Sequence, residues 1–277
     1  MATITRTLAR AGLWSAYPAR TRPPSAVGRV APASIVFVAL VVLWWWVTTE
    51  GRIDSFLLPN PLDVIVRMGE QLASGVAWRY LSPTLIAALL GSGIAVVVAV
   101  PLAFVVAQSR VLGAVLEPFV AVSQTVPLVA IAPLLVLWIG YGTWPIAVLC
   151  AIISFFPMVT TALVGLRTLN MRVIESALLD GAGVWQRIWY LEAPMAAPAM
   201  LAGVRGGVVL SMTGAVVGEF VMGGSGLGTL LTLSRDATDT VGMFAVIVWI
   251  SASALVLYGL IYAAERAAVA TLQGEDT

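Results

Sequence analysis

Residues Glu175 to Pro194 read ESALLDGAGVWQRIWYLEAP. This polar stretch lies between two long apolar runs, LCAIISFFPMVTTALVGL before it and APAMLAGVRGGVVLSMTGAVVGEF after it. A chain that only had to turn back across a membrane would need a few residues, not twenty. Glu175, the small pair Ser176 and Ala177, Gly181 six positions on, and Pro194 at the close predict two short helices with a sharp bend. Glu175 is expected near the start of the first, where the helix dipole favours a carboxylate. Gly181 is expected to permit the bend, and Pro194 to open the next helix where no amide is needed. Trp185 and Trp189 beside Arg187 would offer an aromatic anchor to a groove on another protein.

The apolar runs on either side set the class. Hydrophobic residues make up 60% of the 277, charged residues 10%, and mean hydropathy is +0.98, far outside the soluble range. Runs of about 20 apolar residues recur, each long enough to cross a bilayer as a helix. No alternating strand pattern is present, so helices must satisfy the backbone in lipid. The fold class is all-α, a polytopic membrane protein.

Missing residue types narrow the chemistry. All 15 basic residues are Arg and there is no His. Without Lys there is no GxxxxGK[ST] phosphate loop. Without His, and with Cys150 alone in an apolar run, the usual metal sets and nucleophile pairs are lacking. Cys150 reads as a small buried apolar residue. No catalytic, cofactor or metal residue is expected, and the net charge of +1 gives no sign of a nucleic-acid partner.

Residues 1–30 carry Arg6, Arg10, Arg20, Arg22 and Arg29 without an acidic residue, and read as a disordered cytoplasmic tail. SIVFVALVVLWWWV, from Ser34, is the first expected span, with Trp44, Trp45 and Trp46 in an interfacial belt. Asn60 and Pro61 resemble an N-cap and first helical position. Leu62, Ile65, Met68 and Leu72 then share one face of a short amphipathic helix on the outer surface. Further spans are expected at 82–107, 118–139, 143–166, 196–219 and 241–264, six in all. With both termini inside, Arg110, Arg167, Arg172, Arg187 and Arg266 join the tail arginines in the cytoplasm. Arg52, Arg67, Arg79 and Arg235 remain outside, as the positive-inside rule requires. The permease domain is then 31–265, with the cytoplasmic loop 167–194 and a cytoplasmic tail at 266–277.

Several residues inside the spans carry expectations. Pro101, Pro127, Pro133 and Pro157 should kink their helices. Gly203, Gly207, Ser211, Gly214 and Gly218 form a small-residue stripe that suits close helix approach, within the chain or to another subunit. Gln124, Ser154, Thr161 and Ser211 are polar groups that could line a route, although Ser and Thr also bond their own helix. Glu219 ends an apolar span, as an intramembrane functional carboxylate or at the wet interface. Arg205 is expected to snorkel to the cytoplasmic interface. GGSGLG, from Gly223, lacks the strand of a dinucleotide fingerprint and reads as an extracellular hinge.

The stretch 175–194 resembles the EAA loop by which permease subunits of binding-protein-dependent ABC importers touch their ATPase, matching at Glu175, Ala177, Gly181 and Pro194. Ser176 and Ala193 depart from the usual small apolar residue and Leu without changing size enough to forbid docking. LPNPLDV from Leu58, QTVPLVAIAPLLVLWIGYG from Gln124, SFFP from Ser154, and GAVVGEFV with GGSGLG extend the likeness from Phe56 to Glu265. They are similar to the nitrate/sulfonate/taurine type, and most to its thiamine-precursor pyrimidine and riboflavin branch.

The resemblance implies a type I ABC importer permease fold and a non-catalytic subunit in the bacterial inner membrane. It implies four partners: an ATP-binding subunit holding ATP and Mg, a solute-binding protein, a second permease copy, and the bilayer. Glu175, Ser176, Ala177, Gly181, Trp185, Arg187 and Pro194 would form the ATPase-coupling element. The cargo would be a sulfonate, nitrate, pyrimidine vitamin precursor or riboflavin. The rival readings are a transporter or channel needing no ATPase, and a membrane-embedded enzyme. The first predicts internal repeats and intramembrane charge pairs, the second clustered catalytic groups; neither set is evident in the sequence.

Overall fold

The computed structural model of the chain describes residues 26–51, 53–123 and 127–274; of the disordered tail expected at 1–30, residues 1–25 lie outside them and 26–30 are instead helical. Among the described residues there is helix and turn and no strand. By internal contacts the chain divides at Pro61 into Met1–Pro61 and Leu62–Thr277, where the sequence suggests one domain from residue 31. The first unit holds α1, Ala26–Thr49. In it Trp44 Nε1 donates to the carbonyl of Pro59 at 3.0 Å, which ties the interfacial tryptophan to the following loop.

In the second unit α2, Pro61–Ala73, starts on its proline as expected. Its apolar face turns outward. Leu62, Ile65 and Leu72 are exposed while Val64 and Gln71 are buried. The packing face is fixed by polar contacts, Arg67 with Asp239 at 2.5 Å and Trp249 Nε1 donating to Gln71 Oε1 at 3.1 Å. The apolar stripe is left outward, which suits a helix lying in the headgroup region.

Four described helical stretches are long and apolar enough to cross a membrane: Val76–Ala107, Thr143–Arg167, Val184–Met222 and Thr240–Ala267. They contain α3 (Val76–Ala107), α6 (Thr143–Arg167), α9 (Ala193–Met222) and α11 (Thr240–Gly274). α11 continues eight residues past the start of the expected tail at 266. The span expected at 118–139 is not described as a single rod. Its described parts are α4 (Arg110–Ser123), a 3-10 turn at Leu128–Ile131 and α5 (Ala132–Ile139), which follows the turn directly. Pro127 precedes the turn and Pro133 lies in the first turn of α5. Pro133 stands where a first-turn N–H would have no partner in its own helix, so it starts a helix rather than kinking one.

α6 is the central helix. Its apolar window is 56% buried, against 11% for that of α11, and α3 and α9 pack along it. Close approach to α3 follows from Ala87, Gly91, Ala95, Ala99 and Ala103, four residues apart and all buried. A Cβ on Gly91 would strike the Cβ of Cys150 and the carbonyl of Ala147. The stripe on α9 is used in the same way. Gly203 faces Thr161, Gly207 faces Met158, and Gly214 and Gly218 face Ile153, Ile146 and Leu149 of α6. It is internal packing, the first of the two uses the sequence allows.

Candidate functional site

Between α6 and α9 the chain forms an elbow. α7, Met171–Leu179, starts on Asn170, whose side chain accepts from the Arg172 amide at 3.1 Å. The cap is therefore Asn170, and Glu175 lies in the middle of the helix, exposed, rather than near its start. Ser176 Oγ donates to the Arg172 carbonyl at 2.9 Å. At the far end Ala182 N–H reaches back to the Ala177 carbonyl at 2.9 Å and Gly181 N–H to Leu178 at 3.1 Å. Gly181 has φ +84°, the left-handed geometry that closes a helix and that a side chain disfavours. The bend predicted at Gly181 is there.

The return arm does not end at Pro194. α8 (Val184–Arg187) leads through a π-turn, Ile188–Glu192, into α9 without interruption. Pro194 lies in the first turn of α9 and has no N–H to give to the carbonyl of Tyr190. The wider π register just before it accommodates that missing bond. Leu179 is 89% exposed, Trp185 74% and Tyr190 79%, with Trp189 and Val184 also outward. A recess of about 400 Å³ lined by Asp180, Gly181, Ala182, Gln186, Tyr190 and Leu191 lies beside them. Arg187 does not flank the tryptophans. It turns inward, where its Nε is 2.6 Å from Glu192 Oε1, with side-chain exposures of 14% and 6%.

A second polar cluster sits at the other end of α9. Glu219 is 2% exposed, its carboxyl group enclosed by protein. Its Oε2 accepts from Gly228 N–H at 2.8 Å and from Thr84 Oγ1 at 3.0 Å. Thr84 in turn accepts from Leu227 N–H at 2.8 Å. Leu227 opens α10, Leu227–Asp236, so two first-turn amides of that helix find partners in side chains of α3 and α9. The GGSGLG loop, expected as a hinge, is anchored by this contact. A Cβ on Gly226 would collide with the Glu219 carboxyl group, and that close approach explains the glycine.

The remaining pathway candidates are dispersed. Ser154 Oγ donates to the Cys150 carbonyl at 2.7 Å, Ser211 Oγ to Ala88 at 2.6 Å and Thr161 Oγ1 to Pro157 at 2.8 Å. Ser154 and Ser211 are buried and Thr161 is half-buried; Gln124 lies outside the described residues. Arg205, expected to snorkel, pairs with Glu265 at 2.7 Å and lies over the edge of the stacked Tyr258 and Tyr262 rings. Its charge is thus met by a partner on the neighbouring helix. Thr84, Gln108 and Glu192 were not singled out by the sequence. The contacts Thr84–Glu219 and Gln108–Glu192 join residues far apart along the chain.

Residues 95–269 match the family described as binding-protein-dependent transport system inner membrane component. The riboflavin transport system permease protein RibX of Chloroflexus aurantiacus is 38% identical over 232 residues, 84% of this chain and 87% of that protein. The formylaminopyrimidine transport permease protein ThiX of Halalkalibacterium halodurans is 28% identical, covering 76% and 84%. The taurine transport system permease protein TauC of Escherichia coli is 28% identical, covering 73% and 76%. Among solved structures, an inward-facing conformation of the MetNI methionine ABC transporter superposes with a TM-score of 0.60. It shares 18% identity and covers 73% of this chain and 98% of the matched chain, a likeness of fold.

Proposed function

The chain belongs to the binding-protein-dependent transport system inner membrane component family and is a permease subunit of an ABC importer; from that premise we propose what it carries and how it is driven. The cargo is riboflavin or a closely similar vitamin-type heterocycle, because the relative at 38% identity over 84% of the chain carries that name. Two copies pair to enclose the path. A separate ATP-binding subunit, holding ATP and Mg, docks on each elbow from the cytoplasm, and a solute-binding protein delivers cargo from outside.

One observation carries this reading. Leu179, Val184, Trp185, Trp189 and Tyr190 are exposed together on an elbow between two spans, where a membrane subunit has no internal use for two tryptophans. Large aromatic side chains beside a recess are what a partner's groove takes as anchors. Glu175, Ser176, Ala177 and Gly181 shape the first arm, and Trp185 and Pro194 belong to the second. Arg187 serves the elbow from its inner side. Both termini lie in the cytoplasm with the elbow. Thr161, half-buried on α6, and Gln124 are the pathway candidates we retain; Ser154, Ser211 and Glu219 act on the path through helix packing.

The test is made in a riboflavin-requiring bacterium that lacks its own uptake and expresses the whole system. The wild-type chain should retain the ATPase through purification and support uptake of labelled riboflavin. Deletion of Gly181 through Trp185 should abolish both while the chain still inserts in the membrane. Full retention of the ATPase by the deletion variant would overturn the docking assignment; docking without riboflavin uptake by wild type would overturn the cargo.

A further inference from the structure

Three side chains form a closed triangle where the elbow meets the membrane helices. Arg187 Nε lies 2.6 Å from Glu192 Oε1, Gln108 Nε2 donates to Glu192 Oε2 at 2.8 Å, and Arg187 Nη2 donates to Gln108 Oε1. Arg187 immediately precedes the π-turn and Glu192 is its last residue, so the ion pair bridges the irregular turn. Gln108 is the residue after α3, its own amide held by the last turn of that helix. The third side of the triangle therefore joins the elbow to a different membrane helix.

Each arrangement alone would be ordinary. Together they remove the freedom that this place in the chain would otherwise have. A π-turn has poorer hydrogen-bond geometry than an α-helix and is a natural point of yielding. A push on Trp185 or Tyr190 would be lost there unless the turn were braced. Glu192 is 4% exposed, and breaking a pair that far from water leaves a charge with no compensation. The triangle therefore has two states, closed or broken, rather than a graded stretch.

We propose that Gln108, Arg187 and Glu192 are a clasp that makes the elbow and the adjoining end of α3 move as one body, so that displacement of the elbow reaches the membrane path. The inference rests on the docking reading above and adds residues that lie outside the matching loop positions. Gln108 and Glu192 are positioning residues: they touch neither cargo nor partner and act through Arg187.

The test uses the full chain assembled with its ATP-binding subunit in nanodiscs. Nitroxide labels are attached to cysteines at Met171 on the first arm of the elbow, away from the docking side chains, and Val98 on α3, both exposed; the native Cys150 is wholly buried and stays. The spin–spin distance is measured without nucleotide and with ATP and vanadate, which needs no knowledge of the cargo. With the clasp intact, one narrow distance should persist in both states. Gln108→Glu sets two carboxylates on one Arg, and Glu192→Gln leaves Arg187 without a charge partner. Each single variant should keep its ATPase yet show a nucleotide-dependent shift, on the order of the 5 Å by which a packed element slips one turn. The double exchange Gln108→Glu with Glu192→Gln restores one carboxylate, one amide and one guanidinium, and should restore the single distance. Loss of the ATPase from wild type and variants alike would overturn the docking reading. Retained ATPase with unaltered distances in the single variants, a shift already present in wild type, or no recovery in the double exchange would overturn the clasp. Loss of the ATPase from the single variants alone would also overturn it, showing that the triangle shapes the docking surface instead.

Discussion

Glu219 is buried within the protein, out of reach of bulk water. Two donors, Gly228 N–H and Thr84 Oγ1, converge on one of its oxygens. Replacement by Leu would leave the Gly228 amide without a partner at about 1–3 kcal/mol, with the Thr84 hydroxyl left to the Tyr80 carbonyl at 3.2 Å, and α10 would lose the tether of its first turn. Glu219→Gln keeps a carbonyl oxygen for Gly228, and Thr84 can reverse its hydroxyl, so the loss should be smaller. Thr84→Val, which removes the acceptor of the Leu227 amide, should fall between them. Thermal unfolding midpoints of the purified chain in detergent should rank wild type, Gln, Val and Leu in descending order. Equal midpoints for wild type and Glu219→Leu would show that the carboxyl group does not hold the loop.

The packing of elements turns on glycine, and not all glycines are equal. Gly91 faces the backbone of α6, since a Cβ there meets the Ala147 carbonyl and the Ala151 nitrogen besides Cys150. Backbone cannot move without parting the helices, so Gly91→Ala should destabilise by about 1–3 kcal/mol as an overpacked core does. Gly207 faces only the thioether end of Met158, a flexible side chain that can rotate away. Gly207→Ala should cost well under half as much in the same unfolding measurement, and a reversed order would mean that α9, not α3, sets the spacing on α6. This level of structure was partly legible in the sequence. The glycine stripe of α9 is regular enough to see, and the four long spans follow from hydropathy, although α3 starts six residues before the expected 82 and α11 runs ten past the expected 264. The alanine stripe of α3 is harder, because alanine is common in any apolar run and only the Gly91 contact marks the face. The clasp was illegible: Gln108 and Arg187 are 79 residues apart, and no local pattern pairs them. The inward turn of Arg187 follows from the π-turn, which shifts the register between Ile188 and Glu192 and leaves no sequence mark. The outward turn of the apolar face of α2 was not legible, because periodicity identifies an apolar face without saying whether protein or lipid covers it.

At the scale of the whole second unit, α3 and α9 are joined by polar contacts at both ends. Thr84 meets Glu219 at one end and Gln108 meets Glu192 at the other. The residues are separated by about 36 Å along α3 and about 40 Å along α9 at the helical rise, so the helices run antiparallel and the two contacts bracket a hydrocarbon core of about 30 Å. Each buried carboxyl group is thus placed near a membrane face rather than at mid-depth, where it would be most costly. This geometry makes the two ends topological opposites, and the docking reading, with the excess of Arg on loops beside the elbow, expects that end in the cytoplasm. Single cysteines at Leu179 and at Ser225, both exposed, report the two ends. A membrane-impermeant maleimide should label Leu179→Cys in inverted vesicles and not in intact spheroplasts, with Ser225→Cys giving the reverse. If Leu179→Cys reacts from outside, the elbow faces away from every ATP-binding subunit, and the docking reading fails together with the clasp that depends on it, while the helix packing and the Glu219 tether stand unchanged.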